Sequence, residues 1–284
     1  MTGGNKIRKL EYILADAKEK GADTIVTTGG LQSNHTKITA AFAIKLGFKP
    51  ILLLNGREPE VKKANLFIND LLGVEVRYIQ VGNQKEMNQA LDMVARKLKE
   101  EGKRPYVIPV GGSKGLGSLG YIDAYHELES QRRKMNLNFD WEFITTGSGG
   151  TFAGIYMGHL IHGSESKLVG VSPWLPAGEI RDQIIDCINE GAKYMDHSFL
   201  RYSSKVDPLT IHIDDQFIGE GYGKPTRAGM HALKLIAFTE GILLDHVYTA
   251  KTMACLLHYV ETGIIEKKSK YYFGILVPQQ GCLL

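Results

Sequence analysis

Three cysteines in 284 residues, Cys187, Cys255 and Cys282, are too few and too widely spaced for a disulfide framework. Cys187 and Cys255 fall on apolar helical patterns, where buried thiols are common, so a reducing compartment is expected. No apolar run approaches the length of a bilayer span, and no membrane helix is expected. Charge of one sign is also scarce, with 34 Lys and Arg against 31 Asp and Glu and a net +3. The basic residues are dispersed apart from short groups such as Arg132-Arg133-Lys134 and Lys267-Lys268, which read as solvated surface. Nothing here points to a nucleic-acid partner. The nine histidines show no ligand spacing, so no metal site is expected. There is no internal repeat and no low-complexity linker.

What is present fits a globular α/β protein. Hydrophobic residues make up 43% and charged residues 23%, and the length allows one large domain or two smaller ones. Periodicity predicts helices over about 6–20, 36–46, 60–72, 84–101, from Tyr121, 178–190, 225–239 (with proline in its first turn) and 249–262. Strands are expected over about 24–27, 50–54, 74–79, 106–110, 141–145, 168–171, 209–213 and 271–276, with surface structure over 191–207. Such alternation implies parallel sheets covered by helices on both faces, most simply in two domains sharing a cleft. An α/β fold normally has a strand before its first helix, and here there is none. Met1 therefore reads as an internal methionine of an incomplete product, whose missing part would include any signal or transit peptide.

Three glycine-rich turns fall at strand ends, where ligands of such folds sit. Thr146 to Gly154 (TGSGGTFAG) can converge backbone N–H groups, with Ser148 and Thr151 hydroxyls, at a helix N-terminus. It lacks a Walker ending and a GxGxxG spacing followed by an acid. That disfavours a nucleotide and leaves two readings, a small phosphorylated cofactor or a tight turn with no ligand. Gly111 to Gly117 is the second turn. Gln32-Ser33-Asn34-His35 at the third offers a carboxylate or phosphate seat, with Ser33 as a proton relay. No aspartate or nucleophile elbow accompanies it, so a Ser-His hydrolase is a poor reading, and His35 reads as a surface or core histidine. Tyr222 and Tyr248 lie in loops near helix starts, serving either packing or proton transfer. In Gly3-Gly4-Asn5-Lys6-Ile7-Arg8-Lys9-Leu10-Glu11-Tyr12, Asn5 is a good N-cap, which puts Lys6 in the first helical turn. A cation is unfavourable there. Lys6 is thus either an ordinary solvated basic residue or a lysine that loses a proton and acts as a nucleophilic amine.

Together, the motifs at 3–12, 32–35, 146–154 and Asp245-His246-Val247-Tyr248-Thr249 occur in the order and spacing of a known family. From Gly3 to about Tyr272 the chain resembles the pyridoxal-phosphate-dependent D-cysteine desulfhydrase and 1-aminocyclopropane-1-carboxylate deaminase family, of the two-domain tryptophan synthase β-like fold (fold type II). The resemblance implies that Lys6 forms the Schiff base with the cofactor. It implies a phosphate seat on Gly147, Ser148, Gly149, Gly150 and Thr151, with Asn34 and Lys9 nearby. Ser33, Asn34 and His35 would lie beside the substrate carboxylate and the cofactor face, and Tyr222 and Tyr248 would point at the substrate. Residues 22–120 would form a small domain, and 1–21 with 121–284 the large one.

The deaminases of the family carry an acid after the tyrosine, beside the pyridine nitrogen, where this chain has Thr249. A neutral hydroxyl leaves the nitrogen less protonated, which favours β-elimination from D-cysteine over opening of a cyclopropane. The alternatives are the deaminase and, in another class, a truncated non-catalytic homologue. His246 replaces the family's usual proline, further residues before the lysine motif are missing, and Leu276 to Cys282 replaces a Thr-Gly-Gly segment. The resemblance also implies a homodimer, a small amino-acid substrate and a cytoplasmic location, or a mitochondrial one if a leader precedes this stretch.

Overall fold

The computed structural model describes residues 4–195, 206–266 and 268–274. The expectations for Gly3, Lys267, most of 191–207, the end of the last strand and Cys282 lie wholly or partly outside the described residues. The chain divides into two compact units, Lys6–Ser113 and, among the described residues, 4–5 with 114–274.

The smaller unit alternates α1 (Lys6–Glu19), β1 (Thr24–Gly30), α2 (Asn34–Lys45), β2 (Lys49–Asn55), α3 (Ala64–Leu71), β3 (Glu75–Ile79), α4 (Gln84–Glu100) and β4 (Pro105–Ile108). Its sheet has the order β3-β2-β1-β4 and every pairing is parallel, with Val26 opposite Ile51 and Val107. The β-branched run in β1 is buried on both faces, as a central parallel strand must be. Leu10, Ile13, Leu14 and Ala17 of α1 pack with Ile25, Ile38, Phe48 and Ile108. Leu91 and Leu98 of α4 pack against Val26, Ile51 and Leu53. Packing thus groups α1 with this unit, whereas the sequence-based division grouped residues 1–21 with the other.

The larger unit contains α5 (Gly115–Lys134), β5 (Trp141–Thr145), α6 (Gly150–His162), β6 (Lys167–Val171), α7 (Ala177–Gly191), β7 (Ile213–Asp214), α8 (Arg227–Glu240), α9 (Thr249–Glu261) and β8 (Tyr271–Gly274). The sheet order is β7-β6-β5-β8, again all parallel. Strand β5 sends Ile144 to a cluster with Phe152, Met157, Ile180 and Ile184. It sends Trp141 and Phe143 to the opposite cluster, with Ala250, Leu256 and Tyr259. No helix among the described residues is long and apolar enough to cross a membrane.

Four local expectations are corrected. Lys63 is extended (φ −122°, ψ 161°), so the helix expected over 60–72 begins only at Ala64. The strand expected over 209–213 is reduced to Ile213–Asp214, because the Asp207 carboxylate accepts from Leu209 N at 2.9 Å and caps a 3-10 turn at Pro208–Thr210. Helix α8 is capped by Thr226, whose hydroxyl accepts from Gly229 N at 3.0 Å, so Pro225 precedes the cap. The turn read over 111–117 ends at Lys114, and Gly115 and Gly117 are helical. A Cβ on Gly115 would lie 2.0 Å from the Gly191 backbone nitrogen, so that glycine serves close approach of α5 to α7.

Candidate active site

In the smaller unit, Lys6 opens α1 with no acidic residue in the first turn. Burial, and then the Lys9 cation, push its ammonium well below the ordinary lysine value. Lys9 is itself buried and donates to Gly111 O at 3.2 Å and Ser113 Oγ at 3.5 Å. Ser33 caps α2, accepting from Thr36 N at 3.3 Å.

His35 is 4% exposed, which settles it as a core histidine. Its Nε2 lies 2.8 Å from Thr27 Oγ1, and the Thr27 hydroxyl donates to Ile108 O at 2.8 Å, so Nε2 is the donor of the pair. Burial, then the Lys6 and Lys9 charges, hold the imidazole well below its usual value and keep it neutral.

Asn34 Oδ1 accepts from Asn65 Nδ2 at 2.9 Å, while Asn65 also donates to Gln32 O at 2.8 Å and, from its backbone, to Gln32 Oε1 at 3.0 Å. Sequence reasoning missed Asn65. Its signal was slight, one of two asparagines a turn apart, with Asn69, on the buried face of a helix 31 residues downstream of Asn34.

In the larger unit, Asn5 Nδ2 donates to Thr151 Oγ1 at 3.1 Å, and Asn5 O accepts from Tyr121 at 3.1 Å. These two bonds anchor the residue that precedes Lys6 in the chain. The loop from Thr146 to Gly149 runs from β5 into α6. Gly149 has φ +74° and its Cβ would meet the Gln183–Ile184 backbone at 3.1 Å, so only glycine fits without strain. A Cβ on Gly147 would lie 2.6 Å from the Trp174 ring. Helix α6 has no side-chain cap at Gly149. Thr146 Oγ1 is buried without a hydrogen-bond partner. A compact anion fits this donor set: an orphaned hydroxyl, a glycine turn and an uncapped helix N-terminus.

Beside Gly147 stands an aromatic wall. Trp174 meets Tyr222 edge-on at 4.8 Å between centroids and Tyr248 at 5.9 Å. The two tyrosine hydroxyls lie 3.1 Å apart. Burial, and then Tyr222, push the Tyr248 phenol well above its ordinary value, so it keeps its proton. Asp245 accepts from the backbone N–H groups of Val247, Tyr248 and Thr249 and from the Thr249 hydroxyl at 2.7 Å. The Asp245 N–H donates back to Thr249 Oγ1 at 2.8 Å. No sequence pattern marks Trp174 or the capping role of Asp245, and only folding brings Trp174 to Tyr222.

Comparisons with known proteins agree with this chemistry. A family model described as "Pyridoxal-phosphate dependent enzyme" matches residues 1–275. A Pyrococcus furiosus protein named "Putative 1-aminocyclopropane-1-carboxylate deaminase" is 37% identical over 266 residues, covering 94% of this chain and 78% of that protein. A like-named protein of Pyrococcus abyssi is 37% identical over 261 residues, covering 92% and 76%. A crystal structure of an ACC deaminase homologue superposes with a TM-score of 0.84 at 35% identity, covering 95% of this chain and 78% of that one. A crystal structure of O-ureido-L-serine synthase, 16% identical with a TM-score of 0.70, covers 99% of this chain and 82% of that one, and shares the fold alone.

Proposed function

The chain belongs to the pyridoxal-phosphate-dependent enzyme family, and on that premise we propose that it is a lyase converting D-cysteine and water to pyruvate, hydrogen sulfide and ammonia. When bound, pyridoxal phosphate supplies an electron sink that lowers the barrier to losing the α-proton and the β-substituent. The phosphate would be held by Thr146, Gly147, Ser148, Gly149, Gly150 and Thr151, and the aldehyde end by Lys6 Nζ. Lys9 and Asn34, which hydrogen-bond within the smaller unit, would lie near that phosphate.

The chain's own groups suit the remaining work. Lys6, depressed by burial and by Lys9, carries a neutral amine fraction that can take a proton from carbon. Tyr248 keeps its proton and can give it, with Tyr222 hydrogen-bonded to it at 3.1 Å. Ser33 and Asn34 would orient a substrate carboxylate from the N-terminus of α2, with the neutral His35 beside the cofactor face.

The observation that carries the substrate choice is Thr249. A carboxylate at that position, set against a pyridine nitrogen, would hold the ring protonated and strengthen the sink. Thr249 offers a neutral hydroxyl whose proton goes to Asp245. A weaker sink suffices to expel a thiolate and disfavours opening a cyclopropane. The names of the Pyrococcus relatives favour the second reading, a deaminase acting on 1-aminocyclopropane-1-carboxylate.

Pyruvate and sulfide release from D-cysteine, measured beside 2-oxobutanoate release from the cyclopropane amino acid, separates the two. Faster turnover of D-cysteine is expected, and the reverse ranking would overturn the choice. We also propose a homodimer, checked by sedimentation. The buried cysteines Cys187 and Cys255 fit a reducing, cytoplasmic setting.

A further inference from the structure

Lys251 is fully buried in the first turn of α9, where the helix dipole opposes a cation. Burial also pushes its ammonium below the ordinary lysine value. No carboxylate among the described residues lies within ion-pair reach of it. Instead Nζ donates to three backbone carbonyls, of Pro173 at 2.7 Å, Ile218 at 2.6 Å and Gly221 at 3.3 Å. An ammonium has three N–H donors and a neutral amine only two, so this geometry matches the charged form. A cage of neutral oxygens around one positive charge is also the donor set that a hard metal cation takes.

The caged carbonyls belong to the residues that carry the aromatic wall. Pro173 precedes Trp174, and Gly221 precedes Tyr222. The segment between Ile218 and Tyr222 turns through Gly219 (φ +69°) and Gly221 (φ +126°), so little in its own backbone holds it in place. Trp174 in turn is the ring that a side chain at Gly147 would strike.

We propose that Lys251 is a positioning residue: a tethered internal cation whose carbonyl cage fixes Trp174 and Tyr222 beside Tyr248, and which accepts a free monovalent cation when the side chain is removed. Its effect on turnover rests on the function proposed above, and its effect on the wall does not.

The test uses the cofactor-loaded wild type, Lys251→Ala and Lys251→Met, each titrated with potassium, ammonium or tetramethylammonium chloride at constant ionic strength. Tryptophan emission, assigned with Trp174→Phe, melting temperature and turnover are read together. The wild type should respond alike to all three salts. Lys251→Ala should show shifted Trp174 emission and turnover lowered about tenfold to a hundredfold, the range a small misplacement produces. Potassium or ammonium should restore both, and the bulky tetramethylammonium neither. Lys251→Met fills the space without charge and should stay low in every salt. Wild-type emission of either variant in tetramethylammonium chloride, with no potassium or ammonium present, would overturn the proposal. So would a loss that no cation restores, including an alanine variant that fails to fold at every potassium concentration. Emission and melting need no substrate, so a cation response without D-cysteine turnover would uphold Lys251 and sink the substrate reading instead.

Discussion

Two turns of similar composition, one in each unit, do opposite things. The turn from β1 into α2 satisfies itself: Ser33 caps the helix, Asn65 ties Gln32 to Asn34, and both nitrogens of His35 lie near threonine hydroxyls. The turn from β5 into α6 has no side-chain cap and holds a buried threonine hydroxyl with no partner. A turn that closes its own hydrogen bonds is a rigid platform. A turn that leaves them open in a buried setting has been shaped around something else, because an unmet buried donor costs about 1–3 kcal/mol.

The largest effect that would break this contrast is chemical. Lys6→Ala should lower turnover of the loaded enzyme by about 10²–10⁴-fold, the range of a lost general base, and should abolish the absorption band of the lysine-bound cofactor. An unchanged band would remove Lys6 from the site. The contrast is sharpened by a matched pair. Thr27→Val strips a hydroxyl that bonds both His35 and Ile108 O, and should cost about 1–3 kcal/mol in denaturant unfolding. Thr146→Val strips an unpartnered one, and should raise the stability of the cofactor-free protein by about 1–3 kcal/mol while weakening cofactor binding.

Acid should then reveal the closed turn. The folded-state value of His35 lies well below the ordinary histidine value of 6.5, so the unfolded chain takes up a proton first as pH falls through that value. Stability is therefore lost below about pH 6.5, and His35→Gln should remove that part of the acid sensitivity of the melting temperature. Lys6 works with the same sign at higher pH. Its folded value is below 10.5, so a burial penalty is present at neutral pH and fades as pH approaches 10.5. Lys6→Met should make the cofactor-free protein slightly more stable at pH 7, with the difference closing in alkali.

Much of this was legible in the residues. The alternation of apolar runs marked most strands and helices, since parallel strands buried on both faces read as unbroken β-branched segments. Glycine near Ser148 and the lysine after Asn5 marked the candidate site, because few positions demand those residue types together. The misreadings share one cause. Gly115 read as part of a ligand loop, yet its small size serves contact between α5 and α7. The run 209–213 read as a strand, yet Asp207 captured its backbone. In both cases the deciding partner was a group that local pattern does not weigh.

By itself, then, the sequence determined the fold class, the family and the candidate groups, because periodicity and short motifs are properties of neighbouring residues. Tertiary structure alone decided their states. Asn65 came to Asn34, Trp174 came to Tyr222, and the carbonyls of Pro173, Ile218 and Gly221 came to Lys251. Burial, proton affinity and hydrogen-bond satisfaction depend on which distant groups share a small volume, and only the folded chain specifies that.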